Sequence, residues 1–344
     1  MRIAVDVMGG DHGCEVVVRG AQQALEVCPQ IVELFLVGKP EEIEAALARS
    51  PSGMARLRVV PATEVLTMED KPVVGLRKKK DCSILRAVDL VKTGQADGVV
   101  SPGNTGGVVA ASTIRLRPLA GVDRPAIATV MPAPDGDFVL LDAGANVECR
   151  PWHLLQYAIM GSVFAREMLH VARPRVGLLS VGTEDIKGND LTREAFKLCK
   201  QVDLNFLGNV EGHDLFTNRV DVVVCDGFVG NVVLKTCESL AGGIFGWLKQ
   251  ELTRNPLRRA GAWLARGAFR TIKRRVDPDV HGGAPLLGLN GNVMITHGSS
   301  RNRAICNAIR LAAEAVRNQI NQTITREIAQ ANERLQAPPV SLAS

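Results

Sequence analysis

The chain has 344 residues, of which 46% are hydrophobic and 22% charged, an ordinary globular composition with room for one large α/β domain or two smaller ones. Aromatic residues make up only 4%, and Tyr157 is the single tyrosine, which argues against nucleic-acid recognition by base stacking. The net charge of +5 is concentrated: between Lys249 and Arg275 nine basic residues face one acid, Glu251, and the rest of the chain is slightly acidic.

Met1-Arg2-Ile3 leads directly into an apolar run, with no signal-peptide pattern, and no run reaches the roughly 18 apolar residues that a membrane span needs. A cytoplasmic protein is expected. The first strand, residues 3–7, ends in Met8-Gly9-Gly10-Asp11-His12-Gly13. Helix 14–27, strand 34–37, helix 40–48 and strand 57–60 follow. Residues 63–80 are less regular and close on Arg77-Lys78-Lys79-Lys80. Helix 83–92 precedes a strand at Val99-Val100, which runs into Ser101-Pro102-Gly103-Asn104-Thr105-Gly106-Gly107 and helix 108–116. Strand 139–141 enters Asp142-Ala143-Gly144-Ala145-Asn146, followed by helix 152–169; strand 176–179 enters Ser180-Val181-Gly182, followed by helix 191–199. Strand 222–224 enters Cys225-Asp226-Gly227-Phe228-Val229-Gly230-Asn231, and helix 231–248 follows. Strand 293–296 enters His297-Gly298-Ser299-Ser300, a long helix covers 303–335, and 336–344 reads as a frayed tail.

Strands alternating with helices predict βαβ units and a parallel sheet covered on both faces. Continuous apolar runs are the signature of strands buried on both sides, and their Gly-rich exits offer backbone N–H groups to an anion. Ligands of open parallel sheets sit at the carboxyl ends of the strands, so the six polar exits are where function is expected. The exception to the alternation is 244–276. Leu257, Ala260, Leu264, Ala268 and Ile272 fall on one side of a helix there, and Arg259, Arg266, Arg270 and Lys273 on the other, with Trp247, Trp263 and Phe269 nearby. Such an element either meets a membrane surface or acidic partner, or packs its apolar side on the sheet with a solvated basic side.

Five turns carry candidate chemistry. Gly9 and Gly10 can curl amides around an oxyanion at a helix start, or simply turn the chain. The Ser101–Gly107 turn adds an Asn amide and two hydroxyls. It lacks the Gly-Lys-Ser/Thr ending of a nucleotide loop, and no Gly-x-Gly-x-x-Gly occurs, so a small anion such as phosphate is favoured over a nucleotide. Lys187, among acids in Gly182-Thr183-Glu184-Asp185-Ile186-Lys187-Gly188-Asn189, reads either as a solvated loop lysine or as an electrophilic or phosphate-binding group. Asn231 reads as an amide donor or a helix cap, and His12 and His297 as acid–base groups or as histidines satisfied by backbone bonds. Gly-x-Ser-x-Gly is absent, and eight cysteines without Cys-x-x-Cys pairs read as reduced core residues.

Ten segments in order, AVDVMGGDHG, KPVVGLRKKKDCSI, SPGNTGG, RPAIATVMP, LLDAGANVEC, GTEDIKGND, FLGNVEGHDL, VVVCDGFVGNVVLKT, GGAPLLGLNG and HGSS, resemble the bacterial PlsX-type phosphate acyltransferases over about residues 1–315. Cys14, Cys82, Pro102 and the run Thr183-Glu184-Asp185 depart from that pattern. The resemblance implies a three-layer α/β/α sandwich with a mostly parallel sheet, related to phosphotransacetylases and isocitrate dehydrogenases, forming one unit over 1–335 and working as a homodimer. It implies formation of acyl phosphate from acyl-acyl carrier protein and inorganic phosphate, without metal or nucleotide cofactor. The product would feed a membrane glycerol-3-phosphate acyltransferase from an anionic membrane surface. Lys187 and Asn231 match the residues implicated in the family's reaction. On this reading Gly9, Gly10, Gly103, Asn104, Thr105 and Gly106 cradle phosphate while Lys187 and Asn231 polarise the thioester carbonyl. Arg259, Trp263, Leu264, Arg266 and Arg270 meet carrier protein or lipid. A dehydrogenase on a related fold and a non-catalytic carrier-binding scaffold are the rival expectations.

Overall fold

The structure, a computed structural model, describes residues 1–49, 54–277, 280 and 282–336; the expected tail beyond Gln336 lies outside the described residues. The strands are β1 (Arg2–Asp6), β2 (Glu33–Gly38), β3 (Leu57–Pro61), β4 (Gly98–Ser101), β5 (Ala126–Ala133), β6 (Gly136–Leu141), β7 (Arg175–Leu179), β8 (Asn205–Val210), β9 (Val222–Val224), β10 (Ala284–Leu287) and β11 (Asn292–Ile295). They form one sheet in the order β3-β2-β1-β4-β11-β10-β5-β6-β9-β7-β8.

Successive strand residues face opposite sides, and the two sides bury separate cores. Ile3, Val5, Val100 and Met294 pack beneath helices Cys14–Val27 and Asn302–Arg317, while Val139, Leu141, Val222 and Val224 pack beneath Pro151–Met168 on the same side. Ala4, Val99 and Val293 face helices Ser83–Lys92 and Thr105–Leu116 on the other side, continued by Leu140 and Val223 beneath the start of helix Gly227–Thr253. This is the expected three-layer sandwich. Its largest fully buried side chains are Tyr157 and Phe164 on one side of the sheet and Phe138 on the other, each buried to within 2% of complete. Burying a side chain of this size stabilises by about 1.5–3 kcal/mol.

The sheet is mostly parallel, with an interruption that decides where the site lies. β3, β2, β1, β4 and β11 run in one direction. Three antiparallel pairings follow, β11 with β10, β10 with β5, and β5 with β6. β6, β9, β7 and β8 are again parallel to one another, and therefore run opposite to the first block. The carboxyl ends of the two blocks thus lie at opposite edges, and the six polar exits do not share one edge.

Three local differences from expectation have simple causes. The closing helix is two helices, Asn302–Arg317 and Ile320–Gln336, because Gln319 is left-handed (φ 52) and the Asn318 amide donates to the Glu167 carbonyl at 2.7 Å. The irregular 63–80 stretch contains helix Pro72–Lys78, started by proline at its first position. The basic excursion is likewise two helices, Pro256–Leu264 and Arg266–Arg275, joined at Ala265.

Candidate functional site

The carboxyl edge of β6, β9 and β7 is organised by Asp142, fully buried just after β6. Its Oδ1 accepts from the backbone N–H groups of Ile127 (3.0 Å), Gly144 (3.1 Å) and Ala145 (2.9 Å). Its Oδ2 accepts from the Asn146 backbone (2.8 Å) and side-chain amide (2.9 Å). The amides that the sequence offered to a ligand are therefore taken up by the turn's own carboxylate. The turn is a platform. Helix Gly227–Thr253 docks on it backbone to backbone: the Gly227 N–H donates to the Asn146 carbonyl at 2.8 Å, and a Cβ on Gly230 would lie 1.9 Å from the Asp142 carbonyl oxygen.

This docking aims Asn231. The helix cap is Asp226, whose Oδ1 accepts from the N–H groups of Phe228 and Val229 at 3.0 and 2.9 Å, so capping does not occupy Asn231. The Asn231 stem lies 3.5 Å from where Gly144 would carry a Cβ, and its carboxamide is exposed without a hydrogen-bond partner among the described residues. One strand over, the loop after β7 presents Lys187. Its backbone N–H donates to the Glu184 carbonyl at 3.0 Å, and its stem crosses Gly182, where a Cβ would come within 2.8 Å of Lys187 Cγ. The neighbouring Asp185 is paired with Lys200 at 2.8 Å, and the Lys187 ammonium is exposed with no ion pair among the described residues. Around these two donors Val147, Val181, Ile186 and Phe228 are all more than 60% exposed. Two hydrogen-bond donors on exits that also carry exposed apolar side chains suit a substrate with a polar reacting centre and an apolar body.

The other carboxyl edge is built differently. Gly9 and Gly103 are there for close approach, since a Cβ on Gly9 would lie 2.5 Å from Gly103 Cα. Asn104 caps helix Thr105–Leu116, its Oδ1 accepting from the Gly107 N–H at 3.0 Å, and its amide donates to the carbonyls of Thr67, Met68 and Asp70. Pro72 and Leu66 cover the Cβ positions of Gly106 and Gly107, and Gly10 lies against Pro102; Thr105 opens the helix. Beneath them is a carboxylate, Asp6, 2% exposed, accepting from Ser101 Oγ at 2.8 Å and the Met8 N–H at 3.2 Å. Burial pushes the Asp6 carboxyl above its ordinary value. His12 and His297 belong to this edge too, meeting through Ser299: His12 Nε2 is 3.1 Å from the Ser299 carbonyl and His297 Nδ1 is 2.7 Å from Ser299 Oγ.

The expected cradle and the expected acyl donors are thus apart. Four strand spacings separate β4 from β6, about 19 Å at 4.8 Å each, before the opposite directions of the exits are counted. In one chain, then, the two groups do not share an edge of the sheet. Nor do the cysteines offer a nucleophile. All eight are free thiols, and burial pushes each of them up, Cys14 and Cys199 to about 12.

The basic helices bury no residue. Leu257, Trp263, Leu264 and Ile272 are 52–83% exposed, and the Arg266 guanidinium lies over the Trp263 ring at 5.0 Å. Of the two readings of this element, the packing of its apolar side on the sheet is not found: the described residues leave that side uncovered, and Arg259 and Arg270 stand exposed beside it. Helix Gly227–Thr253, 27 residues and about 40 Å long, buries only Gly227 and Gly230 and exposes Val232, Leu240, Ile244 and Trp247. No helix among the described residues is long and apolar enough to cross a membrane.

The fold is an α/β/α sandwich of the phosphotransacetylase type. Against a phosphotransacetylase from Streptococcus pyogenes the TM-score is 0.63 at 16% identity, covering 92% of this chain and 94% of that one. A 4-hydroxythreonine-4-phosphate dehydrogenase from Klebsiella pneumoniae shares the fold at TM-score 0.53 and 12% identity, over 92% and 99% of the two chains. Closer relatives narrow the class. The phosphate acyltransferase of Desulfitobacterium hafniense is 48% identical over 331 residues, covering 95% of this chain and 98% of its own. That of Pelotomaculum thermopropionicum is 47% identical over 328 residues, 95% of each chain. The family described as "Fatty acid synthesis protein" matches residues 1–323. The chain belongs to this family, the PlsX-type phosphate acyltransferases, and is an acyltransferase.

Proposed function

We propose that the chain transfers an acyl group from the thioester of acyl carrier protein to inorganic phosphate, at the β6/β9/β7 edge. The observation that carries this reading is the pair of unpartnered donors, Lys187 and Asn231, on neighbouring strand exits that also carry exposed apolar side chains. A phosphate oxygen attacks the thioester carbon, the carbonyl oxygen takes up negative charge, and the C–S bond breaks to release thiolate. Phosphate needs no strong base near neutral pH, and a thiol of pKa about 8.5 leaves readily, so charge stabilisation and orientation are the protein's main tasks. The Lys187 ammonium and the Asn231 amide supply the charge stabilisation, and the exposed apolar side chains seat the acyl chain. Asn104 and the close approach of Gly9 to Gly103 are assigned to holding the β1/β4 exits together. Incubation with acyl-acyl carrier protein and phosphate is expected to yield acyl phosphate and free carrier protein; no acyl phosphate at any phosphate concentration would refute the reading.

The exposed stripe on Gly227–Thr253 supports a homodimer packed along that helix. The basic helices support peripheral attachment of a cytoplasmic enzyme to anionic lipid, close to the membrane glycerol-3-phosphate acyltransferase that would consume the product. Sedimentation with phosphatidylglycerol vesicles is expected to be lost in a Trp263→Glu, Leu264→Glu variant that keeps its soluble turnover. Retained sedimentation would leave these helices to the carrier protein.

A further inference from the structure

Lys187 projects from a loop with few anchors, and one of them comes from a neighbouring strand. Asn209 lies in β8, where it pairs with Leu178 of β7, and it is 2% exposed. Its amide donates to the Glu184 carbonyl at 2.8 Å, the same oxygen that accepts from the Lys187 backbone N–H at 3.0 Å. Asn209 therefore sits beneath the turn that aims the lysine. The loop's far end is closed by left-handed Gly188 (φ 97), whose carbonyl accepts from Arg193 at 2.8 Å. Two polar atoms under this loop, Asn209 Oδ1 and Ser180 Oγ, are buried without a partner among the described residues. A half-satisfied carboxamide in a buried strand position is poor for stability compared with an apolar side chain. Its one hydrogen bond goes to the Lys187 turn.

We infer that Asn209 is a positioning residue: it fixes the Glu184–Lys187 turn and so sets where the Lys187 ammonium meets the substrate. The inference rests on the reading that Lys187 acts in the reaction. Position matters at this level because displacement of a reacting group by about 1 Å costs on the order of 100-fold in rate. Without the Asn209 amide the Glu184 carbonyl keeps only the local bond from Lys187, and the turn gains freedom while β7 and β8 stay paired through their backbones.

The test uses the full chain carrying Asn209→Ala, with Asn209→Ser as a second variant whose hydroxyl is too short to replace the amide. Amide hydrogen exchange at Lys187 is expected to rise about tenfold or more while the amides of β7 and β8 keep their protection. Turnover of acyl-acyl carrier protein is expected to fall roughly 10- to 100-fold in kcat, with KM for phosphate changed less than about threefold. In a Lys187→Ala background the same substitution is expected to cost nothing further, because the group it positions is gone. An unchanged exchange rate at Lys187, or an equal loss of kcat in both backgrounds, overturns the inference. If Lys187→Ala itself turns over normally, the role of Lys187 fails, and the exchange measurement still decides whether Asn209 anchors the turn.

Discussion

At the β1/β4/β11 edge, glycine, asparagine, serine and histidine side chains and amides bond one another: Asn104 straps the 67–70 segment, Gly9 meets Gly103, and His12 and His297 meet at Ser299. At the β6/β9/β7 edge the same residue types form a platform, with Asp142 gathering the turn amides, and leave Asn231 and Lys187 exposed above it. The two edges are hard to tell apart in composition. What separates them is whether the asparagine at the exit already has partners, as Asn104 does and Asn231 does not, because a donor engaged in a structural bond is not available to a developing oxyanion.

This contrast is most easily broken with Asn231→Ala. The side chain is exposed and unpartnered, so its removal is expected to lower kcat by about 10²–10³, the typical loss for one oxyanion donor, with no change in melting temperature. A steady-state assay beside a thermal melt checks both halves. At the other edge Asn104→Ala is expected to do the reverse. Loss of the cap and the strap costs about 1–2 kcal/mol of stability, read as a lower urea midpoint, and turnover per folded molecule stays within about threefold. Equal losses of activity at Asn104 and Asn231 would erase the distinction between the edges.

A smaller effect sharpens it. Burial holds the Asp6 carboxyl above its ordinary 3.8, so the folded state favours the protonated form. That contribution to stability is complete below 3.8 and fades as pH rises through the folded value. Asp6→Asn removes the titration, so its urea midpoint is expected to gain on wild type as pH rises from 3.8, with acyl-phosphate formation unaffected. A parallel course of the two midpoints across that range would show that Asp6 is not held protonated.

Much of the fold is legible in the sequence: helices Cys14–Val27 and Ser83–Lys92 match their hydrophobic periodicity end to end. β5 and β10 are not. β10 is four residues long, includes Pro285 and follows Gly282-Gly283, and β5 carries Pro132, so neither shows a clean strand pattern. These two strands supply the antiparallel steps that reverse the sheet, and without them all six polar exits read as one edge. Lys187 and Asn231 are legible as residues and as exits. The occupation of Asn104 is not, because its acceptors lie in a segment whose only sequence signal is irregularity. Asn209 is hidden for a related reason, since its partner Glu184 is brought to it by the pairing of β7 with β8 and not by neighbours in the chain.

Acyl transfer above the β6/β9/β7 edge, by side chains left without structural partners, is tested most directly by the single-turnover rate of acyl-phosphate formation, at saturating phosphate, for Lys187→Ala and His297→Ala measured side by side. A loss of about 10²-fold or more for Lys187→Ala, with His297→Ala close to wild type, is the expected result. Near-normal chemistry in Lys187→Ala together with a large loss in His297→Ala would move the reaction to the opposite edge of the sheet.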